Sequence, residues 1–182
     1  MTGGLRAAKR AARAVARHAR TNVDMPTVGA AIVGHLRAWE GLSDNLVVLV
    51  YWASADEPDI TEAGGDGAMV TRTNEDASLT IHPVSSQRER HPYGFEQPIA
   101  GSLTFDPETI DVALVPGLAF ANTGTRLGRG AGYYDRLLVR LRPGATIVGV
   151  APEAVIGIEL PREAHDVPMT HLAGESGVRS VY

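Results

Sequence analysis

Ten residues, Arg126 to Asp135 in the stretch TRLGRGAGYYDRLL, hold two arginines, three alternate glycines, two tyrosines and an aspartate. Glycines at such spacing let successive backbone N–H groups converge on one anion, and the start of a following helix adds partial positive charge. The guanidinium forks of Arg126 and Arg129 match phosphate oxygens. The residue types therefore describe a cradle for a polyphosphate. Asp135, where the helix begins, has two readings: an ordinary complement to the helix dipole, or a Mg²⁺ ligand, since Mg²⁺ is held by one or two carboxylates together with substrate phosphates. Asp166, next to His165 in PREAHDVP, is the candidate second carboxylate.

Two standard phosphate motifs do not fit. A Walker A loop needs Gly-Lys-Ser/Thr, whereas Gly132 precedes Tyr133 and Tyr134. A dinucleotide fingerprint would pair the glycines with Glu153, but their spacing is G-x-G-x-G, and 11 residues separate Pro116 from Gly128 where that motif makes a tight turn. With no cysteine in the chain, disulfides, thiolate metal sites and Cys nucleophiles are excluded.

Positioning such a loop requires a scaffold. Near-continuous apolar runs at Asn45–Ala53, Val112–Val115 and Ala145–Ala151 read as strands buried on both faces. Shorter strand candidates cover 68–73, 78–84 and the C-terminal GVRSVY. Helices are expected at about 5–20, near Val28–Trp39, and over Tyr134–Leu141 with Leu137, Leu138 and Leu141 inward. Residues past Arg88, Arg90 and His91 to Pro98 read as a polar loop. Strands alternating with helices predict an α/β fold: a single-domain open sandwich over 1–182, its sheet mainly parallel and flanked by helices.

Charge is uneven. Six cations and no acid precede Asp24, and the rest of the chain carries net −10. Arg6, Arg10, Arg13, Arg17 and Arg20 recur at helical spacing, leaving Leu5, Ala12, Val15 and Ala19 to pack elsewhere. Such a stripe is a solvated face, a surface for nucleic acid or acidic lipid, or a source of cations for a phosphate pocket. The acidic body and the lack of interleaved aromatics argue against nucleic acid. No apolar run approaches the ~18 residues of a membrane span and no secretory signal is evident, so a cytoplasmic location is expected.

Pro116 to Arg136, PGLAF followed by GxRLGRGAGYYDR, resembles the signature of the 5-formyltetrahydrofolate cyclo-ligase (methenyltetrahydrofolate synthetase) family. ELPREAHDVP (159–168) resembles its later E-L-P…H-D segment, ADEPDI (55–60) its Glu-containing loop, and KRAAR its N-terminal K-x-x-x-R. The resemblance implies an ATP-dependent ring closure of 5-formyltetrahydrofolate to 5,10-methenyltetrahydrofolate through a phosphorylated formyl intermediate. It further implies that Lys9, Arg13, Arg126, Leu127, Gly128, Arg129, Gly130, Ala131, Gly132, Tyr133 and Tyr134 bind ATP, with Arg126, Arg129 and Tyr134 in catalytic roles. Asp135 and Asp166 would bind Mg²⁺, and Trp52 and Glu57 would meet the folate. Tyr133 and Tyr134 supply either a stacking face or packing at the helix start. Small molecules are the expected partners, without nucleic acid or membrane, and a monomer is the favoured state.

The chain departs from the family pattern at Ala121, Pro152, Val155 and Gly174-Glu175, and only TEAGGDG separates Ile60 from the next strand where the family has a longer crossover. These departures keep a second expectation open: a diverged member that binds nucleotide or a pterin-like ligand without this turnover, or acts on another substrate.

Overall fold

The computed structural model describes residues 2–163 and 166–181. Helices α1 (Thr2–Ala19) and α2 (Met25–Ala38) precede strand β1 (Val48–Leu49), and β2 (Met69–Thr73) and β3 (Leu79–Pro83) follow. A ribbon of β4 (Arg88–Arg90) and β5 (Glu96–Pro98) leads to β6 (Val112–Pro116). A second ribbon, β7 (Ala119–Phe120) with β8 (Arg126–Leu127), comes before α3 (Tyr133–Leu138), β9 (Thr146–Val150), β10 (His171–Gly174) and β11 (Gly177–Ser180). The central sheet has order β11-β10-β9-β6-β1-β2-β3. Its pairs β1/β2, β1/β6, β6/β9 and β9/β10 are parallel, whereas β2/β3 and β10/β11 are antiparallel. The expected α/β class with a mainly parallel sheet is therefore what the chain forms.

Side-chain alternation along the central strands divides the core in two. Leu49, Ala113, Val115 and Ile147 join Ala16 of α1 and Leu137 and Leu138 of α3 on one face. Val48, Val50, Val112, Leu114, Val148 and Val150 meet Val28, Ile32 and Leu36 of α2 on the other. Burial on both faces is why these runs lack polar positions.

Several boundaries differ from the sequence expectation, each for a physical reason. The run Asn45–Ala53 keeps strand pairing only at Val48–Leu49, with Val50 N–H still donating to Met69 O at 2.8 Å. Beyond it the chain peels off the sheet, held by Tyr51 Oη donating to Pro58 O at 2.9 Å. The short crossover to β2 does run parallel, without an α-helix: a 3₁₀ turn at Thr61–Gly64 suffices. Gly64 permits it, because a Cβ there would lie 2.7 Å from Val50 Cγ1. The last helix stops at Leu138, short of Leu141. The expected polar loop at 88–98 contains the β4/β5 ribbon, and β10 was not anticipated.

The arginine stripe of α1 is likewise split. Arg6, Arg10 and Arg17 are exposed, Arg13 is half-buried and Arg20 is buried, and the inward face runs through Lys9, Ala12, Ala16 and Ala19. Val15, expected to pack, is exposed. Among the described residues no helix is long and apolar enough to cross a membrane.

His82 on β3 is buried, with Nδ1 2.9 Å from Leu103 O and Nε2 2.8 Å from Thr80 Oγ1. Burial, aided by the Arg72 charge, holds its pKa below the ordinary 6.5 against the raising effect of its backbone hydrogen bonds. The unfolded chain then takes up the proton first, so stability is full above about pH 6.5 and declines as pH falls through that value toward the folded pKa. The urea midpoint of the wild-type protein is expected to drop between about pH 7.5 and pH 5.5, and less steeply in His82→Gln. An identical drop in both proteins would assign the dependence elsewhere.

Candidate functional site

A cavity of about 690 Å³ opens beyond the carboxyl ends of β1 and β6, the end at which open α/β sheets bind ligands. Its walls include the loop from Trp52 to Glu57, Thr71 and Thr73 of β2, the β4/β5 tip from Tyr93 to Glu96, the end of β6 at Pro116 and Gly117, and the glycine loop with the start of α3.

The glycine loop leaves a tight ribbon. Leu118 N–H donates to Leu127 O at 2.8 Å and Ala121 N–H to Thr125 O at 2.9 Å, which accounts for the long spacing between Pro116 and Gly128. Gly130 (φ +115°) and Gly132 (φ +72°) occupy the left-handed region, so side chains there would strain the turn. From α1, Arg13 Nε donates to Gly128 O at 2.9 Å and fixes the loop from behind. With only six residues, α3 contributes little dipole, and the cations carry most of the positive potential.

Arg126 pairs with Asp135, donates through Nη1 to Pro116 O at 3.3 Å and lies 5.6 Å from the Tyr134 ring centroid. Its side chain is 7% exposed, and its buried Nε has no partner among the described residues. Loss of solvation pushes the Tyr134 hydroxyl well above its ordinary pKa of 10, and the Glu57 carboxylate raises it further. Tyr134 is thus a neutral hydroxyl at working pH.

From the glycine loop, Arg129 Nη2 reaches across to the opposite wall, 2.6 Å from Asp56 Oδ1, 3.0 Å from Glu57 Oε1 and 3.0 Å from Ser54 Oγ. Glu57 Oε2 accepts from Ser54 N–H at 3.0 Å and can accept from Ser54 Oγ at 2.7 Å. Burial alone would raise the Asp56 pKa, but the hydrogen bonds from Arg129 and Ser54 outweigh it and lower the value. Burial likewise opposes the charge on Arg129, and its carboxylate partners reverse the effect and raise the pKa.

Of the candidates chosen from sequence, Trp52, Glu57, Arg126, Arg129, Tyr133, Tyr134, Asp135 and the loop positions Gly128, Gly130, Ala131 and Gly132 all line this one cavity. Leu127 is buried beneath it. Lys9, Arg13 and Asp166 do not line it. Lys9 Nζ lies 2.6 Å from Glu163 Oε2 and 3.2 Å from Asp166 Oδ2, fastening these two residues to α1. Asp166 Oδ2 also accepts from Glu163 N–H at 2.7 Å. The two candidate metal acids thus have separate cationic partners, and among the described residues no cluster of three or more metal-ligating side chains forms. Asp135 still fits Mg²⁺, because one cavity-facing carboxylate is enough when phosphates complete the shell. His165 lies outside the described residues.

Sequence reasoning missed two contributors. Arg20, buried in line with Lys9, Arg13 and Ala16, donates to Gly117 O (2.8 Å), Leu118 O (3.0 Å) and Asp56 O (2.6 Å), tying the turn after β6 to the Glu57 loop. Its position seven residues after Arg13 was the available signal. The β4/β5 ribbon was the other omission. Arg72 pairs with Glu89 and Pro98 O, while Gln97 Oε1 accepts from Thr73 Oγ1 at 2.5 Å and Gln97 Nε2 donates to Glu89 at 2.9 Å. This network clamps the ribbon over the cavity, where Arg88 covers the Trp52 ring at 4.3 Å. The departing positions Ala121, Pro152, Val155 and Gly174 are not among the lining residues, and Val155 is core.

A family model described as the 5-formyltetrahydrofolate cyclo-ligase family matches residues 6–175. A 5-formyltetrahydrofolate cyclo-ligase of Mycolicibacterium smegmatis is 48% identical over 62 residues, which cover 34% of this chain and 32% of that protein. A mitochondrial enzyme of the same name from Arabidopsis thaliana is 36% identical over 81 residues, covering 39% and 29%. These matches span about a third of each relative's length. Over whole chains, the structure is similar to the 5,10-methenyltetrahydrofolate synthetase of Aquifex aeolicus, with TM-score 0.80 and 27% identity over 95% of this chain and 92% of that one. A Mycoplasma pneumoniae protein of that name shares the fold, with TM-score 0.72 and 20% identity over 92% and 98%.

Proposed function

Because the chain belongs to the 5-formyltetrahydrofolate cyclo-ligase family, we propose that it catalyses the ATP-dependent conversion of 5-formyltetrahydrofolate to 5,10-methenyltetrahydrofolate. The observation that carries this reading is one cavity walled on one side by the glycine loop with Arg126 and Arg129, and on the other by Trp52 and Glu57. Two substrates, one anionic and one rich in N–H donors, can meet there.

In this reaction the formyl oxygen takes the γ-phosphoryl group of ATP, N10 closes on the activated carbon, and phosphate leaves with ADP as the co-product. Phosphoryl transfer asks for positioning and charge neutralisation rather than a protein nucleophile. The backbone amides of the loop from Gly128 to Gly132 and the Arg126 guanidinium would supply both on the phosphate side. Arg13 keeps the loop in shape through Gly128 O. The neutral Tyr134 hydroxyl donates a hydrogen bond without adding charge, and Tyr133 and Tyr134 close the wall. Glu57 accepts the N–H donors of the pterin, beside the Trp52 ring. Asp135 would hold Mg²⁺ together with the phosphates, and that ion would offset phosphate charge. Lys9 and Asp166, paired outside the cavity, would hold the neighbouring chain segment against the nucleotide side.

Purified protein with Mg-ATP is expected to convert 5-formyltetrahydrofolate to a product with the absorbance of 5,10-methenyltetrahydrofolate, and to leave it unchanged without ATP. A folded sample that binds ATP yet gives no ATP-dependent absorbance change at saturating folate would overturn the assignment.

A further inference from the structure

We propose that Arg129 couples the two substrate subsites, with the Ser54 hydroxyl as relay: a polyphosphate that draws Arg129 to the glycine loop opens Glu57 to its ligand. The proposal rests on the functional reading above.

Arg129 belongs to the loop that suits a polyphosphate, yet its Nη2 is spent on Ser54, Asp56 and Glu57 across the cavity. In that arrangement Glu57 is a poor receptor for a paired N–H edge. A carboxylate offers about four lone-pair positions, two on each oxygen. On Oε2 the Ser54 N–H and hydroxyl take both, and on Oε1 Arg129 takes one. Two parallel N–H donors need a free position on each oxygen, and Oε2 has none.

The Ser54 hydroxyl has a single hydrogen but two acceptors within reach, Glu57 Oε2 at 2.7 Å and Asp56 Oδ1 at 2.8 Å. While Arg129 serves Asp56, that hydrogen is available to Glu57. When Arg129 leaves, both carboxylates lose its charge, but Glu57 Oε2 keeps the Ser54 N–H while Asp56 Oδ1 keeps no other donor among the described residues, so the hydroxyl turns to Asp56. Oε2 is then left with the Ser54 N–H alone, and Glu57 presents one free position on each oxygen.

The exchange is energetically accessible. Arg129 is 46% and Asp56 48% exposed, so their pair is solvent-screened and weak. Several phosphate oxygens offer the guanidinium a better partner. The two carboxylates are not left uncompensated, because Arg20 lies beneath them and donates to Asp56 O.

Calorimetric titration of 5-formyltetrahydrofolate, with and without Mg²⁺ and the non-hydrolysable β,γ-imido analogue of ATP, tests the coupling. The nucleotide is expected to tighten folate binding by about fivefold or more, and folate to tighten nucleotide binding by the same factor. In Arg129→Gln, and in Ser54→Ala with Arg129 intact, the factor is expected to fall to about one, with folate binding in the absence of nucleotide no weaker than in wild type. Equal folate affinity with and without nucleotide in the wild type, or a retained factor in Arg129→Gln, would overturn the proposal. A second arm needs no folate: the ¹³C carboxyl resonance of Glu57, assigned through Glu57→Gln, is expected to move when the analogue alone is added to wild type and to stay fixed in Arg129→Gln. A resonance that ignores the analogue in wild type refutes the relay. Folate that binds under no condition refutes the assigned reaction instead, and the resonance still decides the relay.

Discussion

Arg126→Ala is expected to lower kcat by about 10³-fold or more while leaving the melting temperature close to wild type, since an arginine that neutralises a transferring phosphoryl group is typically worth that much. Arg126 is the deepest cation of the cavity wall, 7% exposed, and its charge is therefore poorly screened. Its geometry is set from three sides by Asp135, Pro116 O and the Tyr134 ring. Alanine removes the charge and frees Asp135, which is exposed enough to be solvated by water, so the loss should fall on turnover rather than on folding. Arg126→Lys retains the charge without the planar fork and is expected to recover only part of the rate. Single-turnover measurement beside a thermal melt separates the two effects. Full activity in Arg126→Ala would remove the glycine loop from the reaction.

The largest effect on stability is expected at Phe120, the last residue of PGLAF. Phe120 is fully buried on the face shared with α1 and α3. Two glycines make room for its ring: a Cβ on Gly117 would lie 2.6 Å from Phe120 Cζ, and one on Gly149 2.5 Å from Cε1. The ring therefore locks the β7/β8 ribbon onto β6 and β9, and the ribbon in turn launches the glycine loop. Phe120→Ala is expected to cost about 3–5 kcal/mol, a fall in melting temperature of roughly 6–20 °C for a chain of this size. Gly149→Ala should destabilise by the opposite route, overpacking against the same ring. Phe120→Leu, which keeps most of the volume, serves as the milder variant where alanine does not fold. A melt within about 2 °C of wild type for Phe120→Ala would mean the motif is held by something other than this contact.

The parts of the fold legible in advance were those whose signal is local. Val112–Val115 and Ala145–Ala151 are long apolar runs because central parallel strands are buried on both faces, and the structure places β6 and β9 there. The resemblance read from PGLAF and RLGRGAGYYDR is confirmed by the family match over residues 6–175. The β4/β5 ribbon was not legible. Its strands are three residues long, β4 carries exposed arginines at both ends, and its place is set by Arg72, Thr73 and Gln97 rather than by an apolar pattern. Arg20 was hidden for a related reason: helical spacing aligns it with exposed arginines, and only the packing of α1 against the turn after β6 buries it.

The departures from the family pattern gained their meaning only in three dimensions. Read along the chain, Val155 and Gly174 are departures from the family pattern with no place assigned to them. In the fold Val155 is core, and Gly174 lies so close to the Glu153 side chain that a Cβ could not be accommodated without moving it. The short crossover after Ile60 likewise leaves the parallel pairing of β1 with β2 intact.

By itself the sequence determined the α/β class and the family, because hydrophobic period and motif spacing are properties of adjacent residues. Only the tertiary structure decided which charges face one another. Arg129 meets Glu57 across 72 positions, and Lys9 meets Asp166 across 157. Charge carries no periodic signature of its partner, so such pairs become visible only once the sheet has ordered the loops at its carboxyl edge.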